Sequence, residues 1–145
     1  MSMRWIDSHC HLDAPEFDLD RTVVLQNAQA QGVAWCVMPA VQAKDFLPLQ
    51  KLAQELHQPY ALGIHPLFVP HAQEQDLIFL AQCIESALAQ DANGQRLDPR
   101  LVALGEIGLD FFVPALYEPA MREKQEFFYH AQLKMAQKFK LPVIV

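Results

Sequence analysis

Apolar runs and amphipathic stretches alternate along this chain. Trp5 and Ile6 open a short strand that continues into Asp7-Ser8-His9-Cys10-His11-Leu12-Asp13. After a loop over 14–18, a helical stretch runs from about Leu19 to Gln31, and Gly32 ends it as a helix-terminating glycine. Val33 to Met38 is a continuous apolar run, the pattern of a strand buried on both faces, closed by Pro39 and Ala40. Phe46, Leu49, Ala53 and Leu56 then recur at helical spacing, with Gln50, Lys51, Gln54 and Glu55 on the other side and Gln58-Pro59 as the stop. Tyr60 to Ile64 predicts the third strand, ending at His65-Pro66, and Leu77, Leu80, Ala81, Ile84 and Leu88 mark the helix after it. The polar, turn-rich stretch 91–99 reads as a surface loop and not as a domain linker. Leu101 to Gly105 is a fourth strand, followed by Glu106-Ile107-Gly108-Leu109-Asp110. The longest helix spans about Pro119 to Lys140, with Phe128, Ala131, Met135 and Phe139 on one face, and Leu141 to Val145 begins a fifth strand.

Strand followed by helix, four times over and then a fifth strand, predicts an α/β fold with parallel strands, since parallel neighbours need a crossover connection. The predicted strand ends near His9, Pro39, His65, Glu106 and Val145 lie 26 to 41 residues apart. That is the beat of a parallel (β/α)8 TIM-type barrel, whose full length is about 250 residues. Residues 1–145 thus read as a single domain holding about half of such a barrel, four βα units and the fifth strand.

Composition narrows the function classes. With 52% hydrophobic and 19% charged residues the chain has ordinary globular composition, outside the disordered regime. A net charge of -6 argues against affinity resting on a broad basic surface, so any nucleic-acid contact is local or runs through metal ions. Cys10, Cys36 and Cys83 show no paired spacing, which suggests free thiols in a reducing, cytoplasmic compartment. Asp7 and the histidines interrupt the N-terminus before a signal segment can form, and no run approaches the ~18 apolar residues of a membrane span.

The candidate chemistry lies where polar residues interrupt apolar runs. On a strand His9 and His11 share a face, because side chains repeat every second position. Alone, the pair reads equally well as two metal ligands or as two histidines at a polar strand end. His65 at the end of strand three and Glu106 at the end of strand four reach the same rim, the C-terminal face where barrel active sites are built. Four such groups arriving by independent routes favour the metal reading, and a His/carboxylate set suits Zn, Mn or Ni, or Mg with more oxygen ligands. Asp110 either orients a ligand or water from behind or caps the loop into the next helix. Cys10 points to the opposite face by strand parity and reads as core. His57, His71, His130 and the Phe127-Phe128-Tyr129 cluster read as structural.

Asp7-Ser8-His9-Cys10-His11-Leu12-Asp13, Gly63-Ile64-His65-Pro66, Gly105-Glu106-Ile107-Gly108-Leu109-Asp110 and Leu141-Pro142-Val143-Ile144-Val145 together resemble the successive signatures of the TatD family of metal-dependent hydrolases, in the amidohydrolase superfamily and nearest its YjjV-type branch. The resemblance spans the chain in the family's order. It implies a (β/α)8 barrel with one or two divalent ions and hydrolysis of phosphodiester bonds in DNA, often as a 3′ to 5′ exonuclease. Carried onto matching positions, His9 and His11 bind one metal, Glu106 binds or bridges the metals as the catalytic carboxylate, and His65 meets substrate. Phosphodiester hydrolysis needs a nucleophile at neutral pH and positive charge on the developing phosphorane oxygens, and divalent ions supply both.

In the resembled family the fifth strand leads into a His-x-Arg segment, and later strands add another histidine and a catalytic Asp, all beyond Val145. The expectation is a fragment with little or no hydrolase activity alone, whose open edges favour self-association or pairing with the missing C-terminal half. Two alternatives remain at this point: a hydrolase of a small phosphoester or amide, and a non-catalytic half-barrel module.

Overall fold

A computed structural model of the protein describes residues 4–145. Its strands follow one another in space in chain order: β1 (Trp5–Asp7) pairs in parallel with β2 (Val33–Cys36), while β3 (Met38–Pro39), β4 (Tyr60–Leu62) and β5 (Leu101–Leu104) form a second parallel ladder. β2 and β3 are one apolar run that changes neighbours. Val37 still donates to the Asp7 carbonyl at 2.8 Å, and Met38 donates to the Pro59 carbonyl at 3.1 Å, so the two ladders join into a single arc. Near the C-terminus the segment around Val143 runs parallel to β5: Leu104 N–H donates to the Pro142 carbonyl at 2.9 Å and Ile144 N–H to the Leu104 carbonyl at 3.0 Å. The predicted fifth strand is present only as this single bridge. Such a singly wound parallel arc is half of a (β/α)8 barrel.

Four helices cover the outer face: α1 (Arg21–Ala30), α2 (Phe46–Leu56), α3 (Glu74–Leu88) and α4 (Pro119–Phe139). Gly32, at φ 93°, turns the chain from α1 into β2 in a conformation that favours glycine. Side chains alternate along the strands. Cys36, Met38, Tyr60, Leu62, Leu101 and Leu104 join Phe46, Leu49, Leu80, Ile84 and Phe128 in one core between strands and helices. Ile6, Trp35, Val37, Pro59 and Val102 instead line an open hollow of about 570 Å³ on the concave face. The run through Trp35 is therefore not buried on both faces as its composition predicts; Trp35 is 48% exposed because this arc places nothing opposite it.

Two further expectations are corrected by polar residues that fold inward. The stripe on α4 buries Gln125, Phe128, Gln132 and Ala136, leaving Ala131, Met135 and Phe139 half-buried, because Gln132 bonds the backbone of Ile64 and Gln125 that of Asp110, in the loops that follow the strands. The 91–99 loop is exposed over most of its length, but Asp98 is buried, accepting from Tyr60 Oη at 3.0 Å, Gln50 Nε2 at 3.2 Å, Gln54 Nε2 at 3.3 Å and Arg100 N at 3.0 Å. Burial pushes the Asp98 carboxyl up, but those donors together outweigh it and hold its pKa below the ordinary carboxylate value.

A depressed folded pKa means that the stabilisation from Asp98 is present above the unfolded value of about 3.9 and is lost as pH falls through the folded value. Asp98→Ala also strands the buried Tyr60 hydroxyl. The expected loss is about 1–3 kcal/mol at neutral pH, and urea denaturation of the variant should show less acid sensitivity below pH ~4 than the wild type.

Candidate metal centre

The site is assembled at the C-terminal ends of the strands. The β1 ladder ends at Asp7, so His9 and His11 lie just past it and not on the strand proper. Their common orientation comes from the bend: Asp7 Oδ1 accepts from His9 N at 3.2 Å, and Cys10 N donates to Val37 O at 2.9 Å, turning Cys10 toward the core and the two imidazoles away from it. The Cys10 thiol is pushed up to about 12, mainly by burial, consistent with a packing role.

Glu106 is brought in by a close approach of two glycines. A Cβ on Gly63 would lie 2.7 Å from the Gly105 carbonyl carbon, so β4 and β5 touch backbone to backbone where they end. Gly105 N donates to Leu62 O at 2.9 Å and Glu106 N to Ala40 O at 3.1 Å, fixing the carboxylate at the rim. Gln132 on α4 grips Ile64 like a second peptide, accepting from its N–H at 2.7 Å and donating to its carbonyl at 3.1 Å. Gln125 does the same to Asp110, at 2.8 Å and 3.1 Å. One helix therefore positions both loops that carry His65 and Glu106.

Glu106 stands at the centre of the cluster. Its Oε2 lies 3.0 Å from His9 Nε2 and 3.5 Å from His11 Nε2, and its Oε1 lies 3.2 Å from His65 Nε2. His9 Nε2 and His11 Nε2 are 3.4 Å apart, and the donor atoms of His9, His11 and Glu106 all fall within 4.8 Å of one another. Three electron-pair donors this close repel unless a cation or proton lies among them. A tetrahedral ion bound at about 2.0–2.2 Å separates its ligands by about 3.3–3.6 Å; the His9–His11 and His11–Glu106 separations of 3.4 Å and 3.5 Å fall in that range, and the His9–Glu106 separation of 3.0 Å is slightly shorter. The residues present fit a divalent metal ion.

His65 joins the cluster differently. Its Nδ1 accepts from Leu67 N at 3.1 Å, so the neutral ring carries its proton on Nε2 and faces Glu106 as a donor. Burial lowers its pKa, partly opposed by Glu106 and Asp110, which keeps the ring neutral at pH 7. Asp110 takes the capping alternative: its Oδ1 accepts from Phe112 N at 2.7 Å and Val113 N at 3.1 Å. One carboxylate beside the cluster escapes the sequence reading altogether. Asp13 places Oδ1 3.7 Å from His11 Nδ1; burial raises its pKa, opposed by its own backbone N–H and by His11. His57 caps α2 in the left-handed region, His71 ends a 3-10 turn and His130 is exposed on α4, all away from the cluster. Phe128 is core, whereas Phe127 is half exposed.

A half-barrel whose rim gathers two imidazoles and a carboxylate defines a protein of the metal-dependent barrel class. Comparison with known proteins narrows this. Residues 6–145 match the family model for TatD-related DNases, and the chain belongs to that family. It is 36% identical over 146 residues to the uncharacterized metal-dependent hydrolase YjjV of Escherichia coli K12, covering 100% of this chain and 51% of that protein. It is 31% identical to the deoxyribonuclease TATDN3 of Homo sapiens, covering 97% and 50%, and 30% identical to the 3′-5′ ssDNA/RNA exonuclease TatD of a Rahnella species, covering 93% and 46%. The crystal structure of Escherichia coli YjjV superposes with a TM-score of 0.81 at 35% identity, covering 97% of this chain and 49% of that one. The chain spans about half the length of these relatives.

The glycine contact is directly testable. Gly63→Ala should cost about 1–3 kcal/mol of stability and, by pushing the β5 end away from β4, weaken metal binding. Wild-type stability by chemical denaturation would show that the backbones do not need to touch.

Proposed function

We propose that this chain supplies the N-terminal, metal-ligating part of a TatD-type metal-dependent hydrolase that cleaves phosphodiester bonds in DNA. The observation that carries the reading is the convergence of His9, His11 and Glu106 at donor spacings of 3.0–3.5 Å. The names of the human and Rahnella relatives, a deoxyribonuclease and a 3′-5′ exonuclease, point to the substrate class. His9 and His11 would hold one divalent ion. Glu106 would be its third ligand through Oε2, while Oε1 meets His65 Nε2 at 3.2 Å. When bound, such an ion acidifies water and offsets charge growing on the phosphoryl oxygens. Two imidazoles and one carboxylate suit Zn, Mn or Ni better than Mg, which prefers an oxygen shell.

His65 contributes the Nε2–H, which holds Glu106 in place, and in this reading it is the side chain at the rim that meets the substrate. Asp110 keeps the loop after Glu106 folded through its contacts to Phe112 and Val113. In this reading the DNA is engaged locally at the rim, since a net charge of -6 provides no broad electrostatic surface. The same charge favours, as a second reading, a small phosphoester substrate. The three free thiols fit a reducing, cytoplasmic setting. No helix among the described residues is long and apolar enough to cross a membrane.

The test uses this chain in place of the matching half of the Rahnella exonuclease. The folded chimera should degrade single-stranded DNA from the 3′ end with a divalent ion, and Glu106→Gln should lower the rate by at least ~10²-fold. Cleavage of a small phosphoester but not of DNA would favour the second reading. Alone, the 145-residue chain should show little or no cleavage, because the arc walls the cluster on one side only; robust activity would overturn that expectation.

The concave face has its own consequence. With Ile6 62% and Trp35 48% exposed, it awaits the C-terminal half of the barrel or a second copy of the chain. The isolated chain should self-associate in light scattering and bind a hydrophobic dye, and a clean, dye-silent monomer would count against this.

A further inference from the structure

Asp13 holds a buried side-chain oxygen, Oδ1, with no hydrogen-bond partner. Such orphaned acceptors are rare because a buried polar atom gives up its water without compensation. The nearest ring nitrogen is Nδ1 of His11, 3.7 Å away, on the side of the imidazole opposite the atom that faces Glu106 and His9. The turn bearing Asp13 is held firmly. Arg21 donates from Nε to the Leu12 carbonyl at 2.6 Å and from its Nη2 to the carbonyls of Asp13 and Ala14 at 3.2 Å and 3.1 Å, and Ala14 N donates to His11 O at 3.0 Å. The carboxylate is thus presented to the ring by a fixed backbone, and a small torsion of the imidazole closes the remaining gap to hydrogen-bond range.

We infer that Asp13 is a positioning residue for His11: it accepts the Nδ1–H, fixes the ring's tautomer, and so keeps the Nε2 lone pair aimed at the cluster formed with His9 and Glu106. This rests on the metal-centre reading above. A carboxylate behind a histidine ligand sets both ring orientation and basicity. It also accounts for an acceptor that is otherwise unexplained. Asp13 touches neither metal nor substrate, so its effect is transmitted through His11 alone.

Two measurements on the 145-residue chain separate this inference from the reading beneath it. In the metal-free, nitrogen-15-labelled protein, long-range proton–nitrogen spectra of the His11 ring should show the proton on Nδ1. Asp13→Asn should preserve that tautomer and Asp13→Ala should shift it toward Nε2–H. A wild-type His11 protonated on Nε2, or an unchanged ring in Asp13→Ala, overturns the inference without any metal present. In titration calorimetry with Mn²⁺ alone, Asp13→Ala should bind about 10–100-fold more weakly than wild type, and Asp13→Asn should recover most of the affinity. Equal affinity in all three proteins also overturns it. A wild-type chain that binds no Mn²⁺ removes the metal-centre reading, while the ring spectra still decide what Asp13 does to His11.

Discussion

The arrangement at the rim depends on one carboxylate. Glu106 meets His9 and His11 through one oxygen and His65 through the other, so a single side chain ties the ends of β1 and β4 to that of β5. These partners lie 41 to 97 residues away in sequence. In a parallel arc the strand ends are the only places where so many distant positions come side by side, because every crossover helix returns the chain to the opposite end. Glu106 turns that topological fact into a donor set. Its two oxygens also divide the labour, one facing the His9 and His11 rings and the other facing a ring that donates.

Holding the strand ends in register needs more than the ladders. β3 and β4 are two and three residues long, too short to fix a rim by strand pairing alone. α4 supplies the difference through Gln125 and Gln132, each bonding both the N–H and the carbonyl of one residue in the loops flanking the site. Apolar side chains at those positions would bury more hydrocarbon, but would leave four backbone groups near the rim unpaired. A buried amide that pairs both of its ends avoids that desolvation cost while fixing direction.

What is legible in the sequence follows from what kind of signal each feature leaves. The strand and helix beat is readable because apolar runs and helical stripes persist over many residues, and His9, His11, His65 and Glu106 stand out as polar groups where apolar runs end. Asp98 leaves no such mark. It sits in a turn-rich stretch that looks alike whether solvated or folded under, and its side-chain partners are 38 to 48 residues away. The stripe on α4 fails for a related reason: periodicity weighs Ala131 and Met135 as apolar, but a glutamine with two backbone partners is as well suited to burial. Asp13 is hidden by a misplaced boundary. Extending β1 through His11 makes Asp13 one more alternating position, whereas ending it at Asp7 lets the next turn fold a carboxylate behind the ring.

The two faces of the arc separate ligand geometry from ligand strength. Tyr60, Phe46, Phe128, Met38, Leu62, Leu80 and Ile84 are all fully buried between strands and helices, so the outer layer has a complete core of its own. Each element that places His9, His11, His65 or Glu106 is anchored in that layer, which is why the donor spacing suits an ion although the concave face stands open. The strength of the resulting field is another matter, because it depends on how much water is excluded. The same charge pair interacts about four-fold more strongly at an effective dielectric near 20 than in bulk water, and His9 and His11 are still 35% and 42% exposed at their side chains. Geometry is therefore a property of this chain's helical side, whereas electrostatic strength depends on how far water is kept from the rim above the open face lined by Ile6, Trp35 and Val102.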